Sequence, residues 1–318
     1  MNRSDVKIKN FKEENTQEVV NLWNLSLIQD NITFEEFEKK VIKDPNLDPC
    51  GVPVAEKDGK IVGFAISIVR KVPNNGLGLE EDRGWVTMIF IHPEYRRQGI
   101  GTMLLNRCVE FIRSKNRKVI WVCGLTGSSP NYFFPGIDVD RYKTAVELFK
   151  KIGFVINHTA VQMERTLEGY FIPEDIRIAE ENLNKEGITV RLLHKGKEKQ
   201  LLDFLWEHFP GDWHRHTEMA LSERGTQDRF FIALKGKEIV GYCHYEGDHF
   251  GPFFVRPDLR YKKIGAVIFH KCVERMKNDL KLNKVWFRWA DEPKPADFYR
   301  RYDMKVTRRY AIMRLDLI

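Results

Sequence analysis

The 318-residue sequence lacks any apolar run that approaches the roughly eighteen residues of a membrane helix. Its opening residues, MNRSDVKIKN, include no leader-like apolar segment. The five cysteines are odd in number and no two are spaced as CxxC, which speaks against a disulfide framework or a zinc ribbon. No run of five or more basic residues occurs either, although the formal charge is +7 and the pI about 9.0. Dispersed lysines and arginines favour solubility and attract small anions without marking a nucleic-acid groove. These absences point to a soluble, cytoplasmic protein with reduced thiols, and to neither nucleic acid nor membrane as a partner. Oligomeric state is not legible.

What is present supports folded cores. The hydrophobic content is 42%, and the length suits two domains of common size. The stretch IFIHPEYRRQGIGTMLLNRCVEFI, from Ile89, recurs as FFVRPDLRYKKIGAVIFHKCVERM from Phe253. Pro93, Arg96, Gly101, Cys108 and Glu110 reappear at constant spacing as Pro257, Arg260, Gly265, Cys272 and Glu274. Upstream, GKIVGFAIS matches GKEIVGYCHY and pairs Gly63 with Gly241; downstream, Phe149 pairs with Tyr299 and Met163 with Met313. Three collinear matches indicate a duplicated domain. The first copy is longer in two places, RKVPNNGLGLEEDRG and TGSSPNYFFPGIDVDRY, both rich in loop-forming residues. The expected division is a first domain over 1–165, a linker over 166–186 with a short helix after Pro173, and a second domain over 187–318.

Each copy reads as helix, paired strands, strand, helix, strand, helix, strand, a mixed α/β order. Between a strand end and a helix start, the first copy places Arg96, Arg97, Gln98, Gly99, Ile100 and Gly101. Glycines there let the backbone turn tightly, and free amides at the helix start face an anion, with arginine adding charge-assisted bonds. A pyrophosphate suits that point.

The whole frame, strand, HPEYRRQGIG, amphipathic helix, strand and AVELFKKIGF, resembles the GNAT acyltransferase superfamily, whose phosphate loop reads Arg/Gln-x-x-Gly-x-Gly/Ala. Arg96-x-x-Gly99-x-Gly101 meets that pattern, and the likeness covers both halves. The resemblance implies an α/β (α+β) fold of two tandem domains, each with a mixed, mostly antiparallel sheet flanked by helices. It implies acetyl-CoA as acyl donor. Its pantetheine would pair with Ile89, Phe90 and Ile91, and its pyrophosphate would meet the loop from Arg96 to Gly101 with Thr102 in the first helical turn. The matching second-copy positions are Phe254, Val255, Arg260, Lys262, Lys263, Gly265 and Ala266. Here Lys263 replaces Gly99, and lysine enters a left-handed backbone less cheaply than glycine.

The chemistry shows the opposite asymmetry. Thioester aminolysis needs a base for the amine and an acid for the departing thiolate. The family draws the acid from a tyrosine on the late helix, a position held by Phe149 in the first copy and Tyr299 in the second. The second-copy strand KVWFRWADE ends in Asp291 and Glu292, carboxylates at the carboxyl end of a strand. Asp291 as base and Tyr299 as acid are the expected catalytic pair, and a first-copy site using Asp138, Asp140 or Tyr142 is the rival. His214, His216, His244 and His249 fix no metal-ligand geometry, and no metal is expected. The expected activity is acetyl transfer to a small primary amine. A weaker resemblance to bacterial glucosamine and glucosaminide N-acetyltransferases, and to mycothiol synthase, favours an amino sugar. A non-catalytic acyl-CoA sensor is the alternative.

Overall fold

The structure is a computed structural model that describes residues 5–123, 133–223 and 227–317. The chain folds as two compact units, Met1–Val161 with Arg308–Ile318, and Gln162–Thr307.

The first unit begins with β1 (Lys7–Asn10), α1 (Thr16–Ser26), α2 (Phe34–Phe37), β2 (Pro53–Lys57), β3 (Lys60–Ile68) and β4 (Arg83–Ile91). There follow α3 (Ile100–Ser114), β5 (Val119–Val122), β6 (Ile137–Asp138), α4 (Lys143–Ile152) and the start of β7 (Val155–Thr166). Side chains alternate along a strand, so neighbouring apolar residues enter different cores. Val54, Ile61, Phe64 and Ile66 join Val19, Trp23 and Phe37, whereas Ala55, Val62 and Ala65 join Leu104, Leu105, Cys108 and Ile112. With α1 on one face and α3 on the other, these strands read as nearly continuous apolar runs. Strand order is β1-β2-β3-β4-β5, antiparallel except between β4 and β5. The β2–β3 hairpin turns through Asp58 and Gly59, both at positive φ (50° and 75°), the backbone that matches strand twist. Within the second expected insertion, residues 126–132 lie outside the described residues, and 133–142 contain β6.

The second unit contains α5 (Glu174–Lys185), β8 (Ile188–Leu192), α6 (Glu198–His208), α7 (Asp212–Ser222), β9 (Phe230–Lys235) and β10 (Glu238–Glu246). It continues with β11 (His249–Val255), α8 (Ile264–Asn278), β12 (Lys284–Asp291) and α9 (Ala296–Arg300). The order β8-β9-β10-β11-β12 repeats that of the first unit, again antiparallel except at its last pair. α6 packs Leu201, Phe204 and Leu205 against Phe230, Ile232 and Tyr242. α8 buries Val267, Phe269, Cys272, Val273 and Met276.

Two features depart from the expected boundaries. The segment read as a linker belongs to the second unit: α5 buries Ile176, Ala179 and Leu183, packs along α8, and pairs Glu180 with Lys271 at 2.5 Å. The chain's last strand, β13 (Lys305–Asp316), gives residues 308–316 to the first unit. There Arg314, Leu315 and Asp316 pair antiparallel with Trp121, Ile120 and Val119 of β5, and Tyr310 and Ala311 pair with Asp138 and Ile137 of β6. Ala311 and Met313 enter the core beside α3. In the second unit, the carboxyl end of β7 borders β12, and Leu167 donates its amide to Asn283 O at 2.8 Å. Duplicated strands carry the same apolar pattern, and that pattern does not specify which sheet each strand joins.

Candidate functional site

In the first unit, β4 and β5 pair in parallel only from Arg83↔Val119 to Val86↔Val122. The Cys123 amide still donates to Val86 O at 2.8 Å, and β4 then runs on to Ile91 without β5 beside it. Ile89, Phe90 and Ile91 thus lie past the last described contact between β4 and β5. A short helical turn, Pro93–Tyr95, leads to Arg97 at φ 62° and Gly99 at φ 89°, the N-cap of α3. Gly99 itself has no side chain with which to cap that helix. The amides of Ile100, Gly101 and Thr102 therefore open its first turn at the positive end of a fifteen-residue dipole.

The loop side chains differ in the contacts they make within the protein. Arg96 donates Nη2 to Ser26 O at 2.9 Å and Nε to Ile91 O at 3.2 Å, so its guanidinium fastens the end of α1 to the loop. Gln98 donates to Glu94 O at 3.1 Å. Arg97 carries the loop's exposed charge, with its side chain 79% accessible and Glu147 at 3.9 Å.

The second unit reproduces this backbone. β11 meets β12 at His249↔Trp286, and Phe254 and Val255 end the strand beyond that pairing. Tyr261 (φ 71°) and Lys263 (φ 62°) take the places of Arg97 and Gly99, and α8 also lacks a side-chain cap, with Gly265 and Ala266 in its first turn. Lysine thus adopts the left-handed state despite a cost of about 1 kcal/mol. Around this loop, Lys262 pairs with Glu186 at 2.6 Å, Lys263 pairs with Asp175 at 2.9 Å, and Arg260 lies 5.9 Å from the Phe254 ring.

Asp291 ends β12 and accepts from Trp289 Nε1 at 2.7 Å; Glu292 is ion-paired with Arg300. Tyr299 on α9 is 7% exposed. Its ring packs on Phe287 (4.3 Å), Phe298 (5.0 Å), Phe269 (5.9 Å), Phe250 (6.1 Å) and Phe253 (6.4 Å). Burial pushes its hydroxyl well above the usual tyrosine range. The matching Phe149 is buried against Phe154.

The rival residues form a buried polar network in the first unit. Arg308 grips Asp30 through two bonds of 2.5 and 2.9 Å and donates Nε to Asp138 at 2.8 Å. Tyr142 donates its hydroxyl to Asp30 at 2.8 Å, and burial, then that bond, raises its pKa. Asp138 also accepts from the amides of Asp140 and Arg141, while Asp140 itself is exposed. Asp30 and Arg308 were not singled out from the sequence, and no local motif marks them. Among the described residues, no group of three or more His, Cys, Asp or Glu is arranged to hold a metal.

Comparison with known proteins agrees with this geometry. An uncharacterized N-acetyltransferase from Archaeoglobus fulgidus is 35% identical over 98 residues, covering 30% of this chain and 63% of the relative. Another from Methanocaldococcus jannaschii is 28% identical over 109 residues, covering 34% and 40%. The matches thus span less than two thirds of these relatives' lengths. Among solved structures, the glucosamine N-acetyltransferase region of a fungal GH3 β-N-acetylglucosaminidase superposes with a TM-score of 0.78 at 18% identity, covering 98% of this chain and 38% of that one. A tandem GNAT protein from the clavulanic acid biosynthesis pathway superposes at 0.62 and 12% identity, covering 98% of both chains. At such identities the likeness is one of fold. The acetyltransferase (GNAT) family profile matches twice, over residues 16–131 and 198–303. The two matches bracket the two Gly-bearing or Lys-bearing turns, and the chain belongs to the GNAT acetyltransferase family.

Proposed function

We propose that this chain transfers the acetyl group of acetyl-CoA to a small primary amine, with an amino sugar such as glucosamine as the leading acceptor. One observation carries the reading: both turns, Arg96–Gly101 and Arg260–Gly265, hold the same left-handed backbone ahead of an uncapped helix. Amides so directed suit a pyrophosphate, and the carboxyl ends of β4 and β11 would offer backbone groups to pantetheine. The acceptor named by the fungal neighbour makes glucosamine the first to try.

In the proposed reaction, Asp291 takes a proton from the ammonium form of the acceptor. The neutral amine attacks the acetyl carbonyl, the carbon–sulfur bond breaks as Tyr299 protonates the leaving thiolate, and the second amine proton, released as the amide forms, returns to the Tyr299 phenolate while Asp291 gives its proton to solvent. A hydroxyl raised by burial stays protonated at neutral pH until that charge develops. Asp291 and Glu292 favour a cationic acceptor.

The test is the initial rate of CoA release with glucosamine, chitosan oligomers, polyamines, aminoglycosides and peptide N-termini. A rate with one class names the acceptor. Tight acetyl-CoA binding with no rate for any amine sinks transfer in favour of a non-catalytic acyl-CoA sensor. That second reading is favoured by Phe149 and by the carboxylates already paired with Lys262 and Lys263.

A further inference from the structure

The second unit encloses a cavity of about 150 Å³ that uses none of its loop residues and is walled in part by the segment expected to be a linker. At about 30 Å³ per water, it has room for a phosphate or a short carboxylate and none for a nucleotide. Arg165, Tyr170, His270, Arg301, Tyr302 and Asp303 line it.

His270 is only 1% exposed. Its Nδ1 lies 2.8 Å from the Tyr170 hydroxyl, which also lies 3.1 Å from the His270 carbonyl oxygen. When Tyr170 gives its single proton to Nδ1, the neutral ring carries its own proton on Nε2. That Nε2 is buried and finds no hydrogen-bond partner among the described residues. Burial, reinforced by Arg165, lowers the His270 pKa to about 4, which keeps the ring neutral near pH 7.

Arg165 shows the same deficit. It donates Nη1 to Tyr302 O at 2.7 Å and lies 4.9 Å above the Tyr170 ring, yet its Nε is also buried without a partner among the described residues. A guanidinium Nε can only donate. The nearest carboxylate, Asp303, stands 3.7 Å from Nη2 with its side chain 82% exposed, so it neutralises Arg165 weakly. Arg301 brings a second positive charge to the same wall.

The Arg165 Nε donor, the His270 Nε2 donor of the tautomer whose Nδ1 accepts from Tyr170, and the charge of Arg301 on the same wall call for an acceptor with negative charge. We propose that this cavity is a binding site for a small oxyanion, phosphate or a short carboxylate, whose oxygens accept from Arg165 Nε and His270 Nε2. The proposal is independent of acetyl transfer.

Titration calorimetry of the whole chain with sodium phosphate and, separately, sodium acetate at constant ionic strength tests it, with sodium chloride as reference. One-site saturation by phosphate or by acetate is expected, and the arm that saturates identifies the anion. The imidazole ¹⁵N resonance of His270 should shift along the same isotherm. Arg165→Gln should weaken binding at least tenfold. Arg301→Gln, a surface change that spares the packing of Arg165, should weaken it severalfold. Absence of saturation in both arms overturns the proposal, as does binding that leaves His270 unshifted or survives both substitutions unchanged.

Discussion

Gly99 and Lys263 hold the same left-handed backbone, at φ 89° and 62°, one residue ahead of α3 and α8. Glycine takes that state freely and lysine does not. Lys263→Gly should therefore stabilise the second unit by about 1 kcal/mol, since the exposed pair with Asp175 contributes little. Gly99→Lys should destabilise the first unit by a similar amount and weaken acetyl-CoA binding there. Denaturant midpoints read both, and an unchanged midpoint for Lys263→Gly would mean that its side-chain contacts already offset the strain.

Arg308 is the main countercharge of two buried carboxylates, Asp30 and Asp138. Arg308→Met should cost about 3–5 kcal/mol because it strands those charges. The loss belongs to the first unit, so hydrogen exchange should accelerate in β4 and α3 while β9 and β10 stay protected. Uniform acceleration throughout the chain would refute this assignment.

Tyr299→Phe removes one oxygen and leaves every ring contact in place. Stability and acetyl-CoA affinity should hold nearly constant while turnover falls by a factor on the order of 100 or more. If turnover survives, the proton comes from elsewhere, and Tyr142 becomes the first residue to examine.

The second unit should be acid-sensitive. Burial lowers His244, His249 and His270 to about 4, below the ordinary histidine value of 6.5, so all three favour the neutral ring in the folded state. The unfolded chain binds these protons first as pH falls. The associated stability is intact above about pH 6.5 and declines toward pH 4, by roughly 1.4 kcal/mol per pH unit for each group in that window. Denaturant midpoints between pH 7 and 4.5 should show this slope, and His244→Gln with His270→Gln should remove about two thirds of it, leaving the share of His249. A slope unaltered in the double variant would place the acid sensitivity in other groups.

Much of the fold was legible because its signals are local and doubled. The turn residues, the two hairpins and the helix after Pro173 each follow from short stretches of chain. What escaped depends on distance along the chain. The clasp of Arg308 on Asp30 joins residues far apart in sequence, and Arg308 reaches it only through the destination of the last strand. A second, structural role of Arg96 escaped for a related reason: the folded turn offers its guanidinium Ser26 O and Ile91 O at hydrogen-bond distance, partners that no local motif announces. Lys263 shows the limit of intrinsic preference, since the surrounding packing holds it where glycine would sit more easily.

The destination of β13 also sets an order of events during synthesis. The first unit is begun before the second and completed after it, because residues 308–316 of its closing strand are translated only once the second unit has been made. All residues of the second unit precede Arg308, where the first unit's share of that strand begins. Until it arrives, the outer edge of β5 lacks its antiparallel neighbour and can recruit a strand from another nascent chain on the same messenger. A premature stop codon within β13 would therefore injure the unit whose synthesis started earlier.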